Sequence, residues 1–341
     1  MLKYILVILR YILDYSKMYC YIMCGGKIMD RSEYNVVFMG TPEFARGVLE
    51  AVYNAGFNVN LVVTNPDTPS GRGMKLKMSK VKEYALEKGL EVYQPEKLRN
   101  NEEALDIIKG FSPDFIVTAA YGKILPQSIL DIPKIAPVNV HGSILPKYRG
   151  SAPVQWAIIN GEKVTGITTM IMDAGMDTGD MLLKEETEIT EEDNLMAVFD
   201  RLEKIGSKLI VETLDGLISG KIDRVKQDEA LATIAPMITK EMTKIDFNKS
   251  PREVFNFVRG MYAAYMEDDE GNKIKVFKVR INEMKETSEV GKVVEVTKKS
   301  LTISVNGGTI DILELQAPNS KKMDIISYLA GNKIEVGKKF V

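Results

Sequence analysis

From Asn35 to about Gly220 the chain alternates short apolar runs with longer amphipathic segments, and that alternation leaves few folds open to it. NVVFMG (35–40) is an apolar run ending in glycine, the pattern of a strand buried on both faces of a parallel sheet. The next segment carries Phe44, Val48, Ala51, Val52 and Ala55 at helical spacing, with Gly56 placed as a C-cap. NVNLVVT (58–64) predicts a second strand, and SKVKEYALEKG (79–89) a second helix capped by Ser79. LEVYQP reads as a short third strand, followed by a helix over about 101–110. DFIVTAA (114–120), PVNVH (137–141) and TGITTMIMD (165–173) are further strands, SAPVQWAIING (151–161) is helical, and 191–217 is a long amphipathic helix. This order predicts an α/β fold with a doubly wound, mostly parallel sheet.

The remainder of the chain is set apart by texture. Residues 1–34 are apolar but are interrupted by Lys3, Arg10, Asp14 and Lys17, so no uncharged run approaches the ~20 residues of a membrane span. They lack a small-x-small cleavage site. Cys20 and Cys24 have no companion ligands for zinc. The segment reads as an upstream extension of a chain that starts at Met29, the alternative being a short amphipathic anchor. After a first domain at 35–220, residues 221–249 are polar with weak periodicity and are expected to form a linker that wraps along that domain. SPREVFNFVRGM then starts a helix with Pro251 at N1, and short strand-like segments broken by Gly and Asn predict a small β-barrel over 250–341.

Charge and cysteine content narrow the setting. At 341 residues, 45% hydrophobic and 27% charged, the chain is no disordered or collagen-like polymer. Its net charge of −2 announces no nucleic-acid partner, and residues 251–341 carry 15 basic against 13 acidic side chains, only mildly basic. Two cysteines, both near the N-terminus, favour a reducing, cytoplasmic setting. The 18 methionines are scattered and read as core filler.

The chemistry concentrates in three loops. Asn139 and His141, the chain's one histidine, lie two apart at the end of an apolar strand, and so on one side of the sheet at its functional end. An amide and an imidazole there suit a carbonyl oxygen that becomes an oxyanion, and the imidazole can also move a proton. A histidine that merely caps a loop is the bland alternative, but nothing structural asks for Asn and His at the mouth of this strand, where Gly142 clears space. The turn 172–180 (MDAGMDTGD) carries three carboxylates among glycines. It lacks a calcium-loop register. Ordinary Asp-Gly turns explain two of the carboxylates, which leaves one to approach His141. The stretch 65–77 is a long loop bearing Arg72, Lys75 and Lys77, either functional or simply solvated. GTPEFARG (40–47) lacks G-x-G-x-x-G, which disfavours an NAD-binding enzyme, and no Walker pattern is present.

Taken together, MGTPEFA (39–45), PDTPSGRG (66–73), AAYGKILP (119–126), NVHGSILPKYRGSAPVQWAI (139–158) and MDAGMDTGDML (172–182) resemble the folate-dependent formyltransferases, and most closely those that act on methionyl-tRNA. The blocks occur in family order over most of residues 35–220. The resemblance implies a Rossmann-like formyltransferase domain followed by an OB-like β-barrel that binds tRNA. It implies transfer of a formyl group from 10-formyltetrahydrofolate to the amino group of initiator methionyl-tRNA without a metal. Asn139, His141 and Asp177 would be catalytic: Asn139 and protonated His141 would bind the oxyanion, and Asp177 would hold His141 protonated and oriented. Ser143, Ile144, Leu145 and Pro146 would contact the folate cosubstrate, with Ile144 a conservative departure from the family's S-L-L-P. Arg72 would reach the end of the tRNA acceptor stem. Many relatives have Pro-Trp-Pro where this chain reads RGMYAAYMEDDEG, and the acidic run Glu267–Glu270 is expected to face away from the tRNA. The chain is expected to be a monomer with no membrane partner. Competing expectations are a formyltransferase for a small acceptor (an amino-sugar nucleotide or glycinamide ribonucleotide) and a non-catalytic RNA-binding protein.

Overall fold

The computed structural model describes residues 30–70, 75–282 and 289–341. The sequence-based expectations for residues 1–29, for the two cysteines and for Arg72 lie outside the described residues.

The first half builds around a seven-stranded sheet among the described residues, ordered β5-β2-β1-β6-β7-β8-β9. Its strands are β1 (Asn35–Gly40), β2 (Asn58–Val63), β5 (Val92–Tyr93), β6 (Phe115–Ala119), β7 (Ala136–His141), β8 (Val164–Ile171) and β9 (Met181–Glu188). Between β2 and β5 in sequence, β3 (Thr68–Ser70) and β4 (Lys75–Lys77) form a separate hairpin. The strands from β5 to β7 run parallel, as the β-α alternation predicts. Period-2 side-chain alternation splits the central strands between two cores. Val36, Phe38 and Val117 join one core, while Val37, Met39 and Ile116 join the other. Each fully buried side chain of this size contributes about 1.5–3 kcal/mol.

Helices cover both faces. On one side lie α1 (Glu43–Asn54), α2 (Lys80–Glu87) and α6 (Leu195–Ser219); on the other lie α3 (Glu102–Gly110) and α4 (Gln127–Leu130). Ser79 and Asn101 cap α2 and α3 by accepting from Lys82 and Ala104 backbone N–H groups. α5 (Pro153–Ile159) follows the loop that leaves β7. The chain order reverses between β1 and β6, and the carboxyl ends of the strands beside such a reversal are where open α/β sheets bind their ligands.

The sheet departs from a purely parallel plan at one edge. β7–β8 and β8–β9 are antiparallel. The sequence reading does not include β9, because beyond Met181 and Leu182 the strand is charged and alternates between half-buried and exposed positions. Such charge is what protects an edge strand from pairing with other chains. The short α4 is too brief for periodicity to reveal.

The segment after α6 binds back onto the first domain and then enters the second. Val225 bridges Met181, Ile234 bridges Arg149, and Lys244 bridges Tyr265. α7 (Pro251–Gly260) opens with a capping box formed by Ser250 and Glu253. Arg259 on its last turn donates to the Thr190 carbonyl of the first domain at 2.6 Å. The second domain is an antiparallel sheet, β10 (Ala264–Glu267), β11 (Lys273–Asn282), β14 (Gly308–Gln316), β13 (Leu301–Val305) and β12 (Val293–Val296) in spatial order, with β15 (Met323–Asp324) beside β14 and α8 (Ile325–Gly331) packed against it. Strand pairing alone leaves β10 and β12 as edges. Residues 337–341 join them: Gly337 and Lys338 pair with Val293, Phe340 with Gly291, and Val341 exchanges both backbone hydrogen bonds with Glu267 at 2.8 Å. At Gly291 (φ +82°) a Cβ would lie 2.2 Å from the Phe340 carbonyl oxygen, so this junction requires glycine.

Candidate active site

Three segments of distant sequence meet at the carboxyl end of β7. His141 closes that strand and is 5% exposed. Its Nε2 lies 2.9 Å from the carbonyl oxygen of Tyr148. Nδ1 lies 3.6 Å from Asp177 Oδ2, an approach of opposite polar groups rather than a hydrogen bond. A carbonyl can only accept, so Nε2 carries a proton in this arrangement and Nδ1 is the nitrogen that faces the carboxylate.

Asn139 stands two residues earlier on the same face of β7. Its Oδ1 accepts from the Thr118 hydroxyl at 2.9 Å, and its Nδ2 points to Asp177 Oδ1 at 3.4 Å. Asp177 belongs to the turn between β8 and β9. It adopts φ +54°, and its Oδ2 accepts the Gly150 backbone N–H at 2.8 Å. The neighbouring Asp173 instead closes the turn, accepting from Gly175 N–H at 3.0 Å and from the Thr178 hydroxyl at 2.7 Å. Of the turn's carboxylates, Asp177 is the one brought to His141.

Tyr148 and Asp177 both adopt left-handed backbone conformations, with φ +61° and +54°. Each costs about 1–2 kcal/mol for a residue with a side chain, and both groups touch His141. Tyr148 is anchored by its N–H on the Thr233 hydroxyl and its phenol on Glu162 Oε1, each at 2.8 Å. Burial pushes that phenol up to about 12.

The other expected residues fall as follows. In 143–146, Ser143 and Leu145 are buried: the Ser143 hydroxyl donates to the Lys147 carbonyl at 2.6 Å, and Leu145 packs on Met170 and Met181. Ile144 and Pro146 keep exposed surface. The 65–77 stretch, expected as a loop, carries the β3–β4 hairpin, whose base is tied by Asp67 to Lys82 at 2.7 Å. That lysine and Gln94 hold the Asp67 carboxyl below its usual range. The acidic run sits at the β10–β11 turn, where Glu267 pairs with Lys244 at 2.6 Å and Asp268 accepts its own turn's N–H groups.

Sequence reasoning missed Thr118, Tyr148, Arg149, Gly150 and Gln227. Arg149 is 4% exposed, binds both Glu229 oxygens at 2.9 and 2.7 Å, and donates through Nε to Gln227 at 2.9 Å. The Glu229 carboxylate raises its guanidinium above the usual range. Local periodicity marks none of these residues. Gly150 shows a weak signal, a glycine after a charged loop, and its reason is steric: at φ +119° a Cβ would lie 2.7 Å from the Ala235 carbonyl oxygen. Beside it a cleft of about 550 Å³ opens between the domains, lined by Ser151, Met237, Lys240, Tyr262, Lys273 and Lys275 among others.

An open α/β sheet with an amide, an imidazole and a carboxylate converging at its carboxyl edge, followed by an antiparallel β domain, is the plan of the formyl transferases. Residues 34–214 match the family model described as formyl transferase, and residues 237–333 match its C-terminal domain. The methionyl-tRNA formyltransferase of Clostridium perfringens (strain SM101 / Type A) is 44% identical over 305 residues, which span 89% of this chain and 98% of that relative. The enzyme of the same name from Caldanaerobacter subterraneus is 46% identical over 308 residues, again 89% and 98%. The chain belongs to the methionyl-tRNA formyltransferase family. Among solved structures, the sugar 3N-formyl transferase WlaRD shares the fold, with TM-score 0.59 and 19% identity over 84% of this chain and 99% of that one. HypX from Aquifex aeolicus in complex with tetrahydrofolic acid does so with TM-score 0.56 and 14% identity, over 89% and 50%.

Proposed function

We propose that this chain transfers the formyl group of 10-formyltetrahydrofolate to the α-amino group of methionyl-initiator tRNA, giving N-formylmethionyl-tRNA for translation initiation. The observation that carries the chemistry is the convergence of Asn139 Nδ2, His141 Nδ1 and the Asp177 carboxylate. The acceptor follows from relatives that carry this activity in their names and align over 98% of their length.

The neutral amine attacks the formyl carbon, and the carbonyl oxygen takes up negative charge. Asn139 Nδ2 and the His141 Nδ1–H are the donors that receive it; each such donor lowers a barrier by about 2.7–4 kcal/mol. The Thr118 hydroxyl on Oδ1 and the Asp177 carboxylate beside Nδ2 together keep the amide's N–H edge, rather than its oxygen, toward the reacting atoms. The His141 ring cannot turn away without breaking its bond to Tyr148. Asp177 orients the imidazole and helps pass the amine proton to the departing folate nitrogen, completing the exchange of a C–N bond for a C–N bond. The folate cosubstrate lies along 143–146, where Ile144 and Pro146 offer apolar surface. Arg72 meets the acceptor stem. Lys240, Lys273 and Lys275 along the cleft beside Gly150 supply phosphate contacts, which set affinity and its salt dependence. The reaction runs in the cytoplasm on a monomer.

Labelled 10-formyltetrahydrofolate offered with methionyl-tRNA, glycinamide ribonucleotide and an amino-sugar nucleotide in parallel tests the reading. Label moving to the tRNA supports it. Label moving to a small acceptor, or to none, refutes it.

A further inference from the structure

Gln227 lies in the connecting segment, distant in sequence from the site, yet its Nε2 donates to the carbonyl oxygens of both Asp177 and Gly179 at 2.8 Å. One amide group thus spans the two sides of Thr178 and clamps the turn in which Asp177 holds its left-handed backbone. The other end of the same side chain accepts from Arg149 Nε at 2.9 Å, and Arg149 is gripped in turn by Glu229. The residue after Arg149 is Gly150, whose N–H binds the Asp177 carboxylate. Thr233 and Ala235 of the connecting segment bond the Arg149 backbone at 2.8 and 2.7 Å. The segment therefore holds Asp177 from two directions, its backbone through Gln227 and its carboxylate through the Arg149–Gly150 backbone.

We propose that Gln227 is a positioning residue for the transfer reaction: it fixes the Asp177 carboxylate against His141, so that seating of the connecting segment on the first domain sets catalytic competence. The inference deepens the formyl-transfer reading and rests on it for its kinetic consequence. Its geometric consequence, where Asp177 stands relative to His141, is independent of any reaction.

The chain has one histidine, so imidazole resonances in the full-length protein report His141 alone. The test compares the wild type with Gln227→Met, which keeps the length and removes both donors, and with Gln227→Glu, which keeps the acceptor for Arg149. Asp177→Asn and the Asp177→Asn/Gln227→Met pair complete the cycle. Both Gln227 variants are expected to move the His141 resonances toward those of Asp177→Asn. They should lower kcat about 10- to 100-fold while KM for each substrate stays within about twofold, as expected for misplacement without lost binding. In the Asp177→Asn background the Gln227→Met change should cost less than about threefold, because residues acting through one another are not additive. Unmoved His141 resonances in both single variants, or equal losses of kcat in both backgrounds, would overturn the proposal. A wild type that formylates no tRNA would defeat the functional reading instead, and the His141 resonances would still decide where Gln227 holds Asp177.

Discussion

The Thr118 hydroxyl donates to Asn139 Oδ1 at 2.9 Å, and together with the acceptor-only Asp177 carboxylate 3.4 Å from Nδ2 it sets which end of the Asn139 amide faces Asp177. Replacing Thr118 by Val keeps the shape and removes the donor, which leaves the amide held in that orientation by Asp177 alone. A net hydrogen bond of about 1–1.5 kcal/mol corresponds to roughly tenfold in rate. Thr118→Val should therefore lower kcat about tenfold, and Thr118→Ser should restore most of it in steady-state formylation assays. Equal rates for all three would show that the amide orientation has another cause.

Gly150 joins the loop after β7 to Asp177 and has no room for a side chain. Gly150→Ala would place a methyl 2.7 Å from the Ala235 carbonyl oxygen at a backbone angle that disfavours alanine. The expected cost is about 1–3 kcal/mol of stability, read by denaturant unfolding, with a fall in kcat as the Asp177 bond is displaced.

Asp193 gives a pH dependence remote from the site. Two Arg201 nitrogens at 2.7 Å, helped by the Thr190 N–H, lower its carboxyl to about 2. A folded value below the unfolded value near 3.9 means the stabilisation is complete above the unfolded value and is lost as pH falls from about 4 to about 2. It amounts to roughly 2–3 kcal/mol at neutral pH. Unfolding followed across that window should show the loss in the wild type and a flatter profile in Asp193→Asn.

Arg72 tests the acceptor contact. Arg72→Ala should raise KM for initiator tRNA and weaken discrimination among tRNAs while folate binding is unchanged. Undiminished discrimination would remove Arg72 from that role.

Much of this molecule was legible in its sequence, for definable reasons. Strands such as NVVFMG are buried on both faces and so are apolar throughout, and helices such as α6 carry one apolar stripe. Asn139 and His141 were visible because polar residues at the end of a buried strand have no packing explanation. The edge strand β9 stayed hidden because its charge serves the surface rather than the core. Gln227 and Arg149 stayed hidden because their partners lie in other segments: 227 and 177 are separated by 50 residues, and no local pattern encodes such a pairing.

His141 is the residue on which the proposed chemistry depends most directly. In single-turnover formylation with enzyme in excess of methionyl-tRNA, His141→Ala should lose at least about two orders of magnitude in rate while the tRNA Kd stays within about twofold. A variant that transfers the formyl group at close to the wild-type rate would contradict the account, because no other imidazole exists in the chain to replace it.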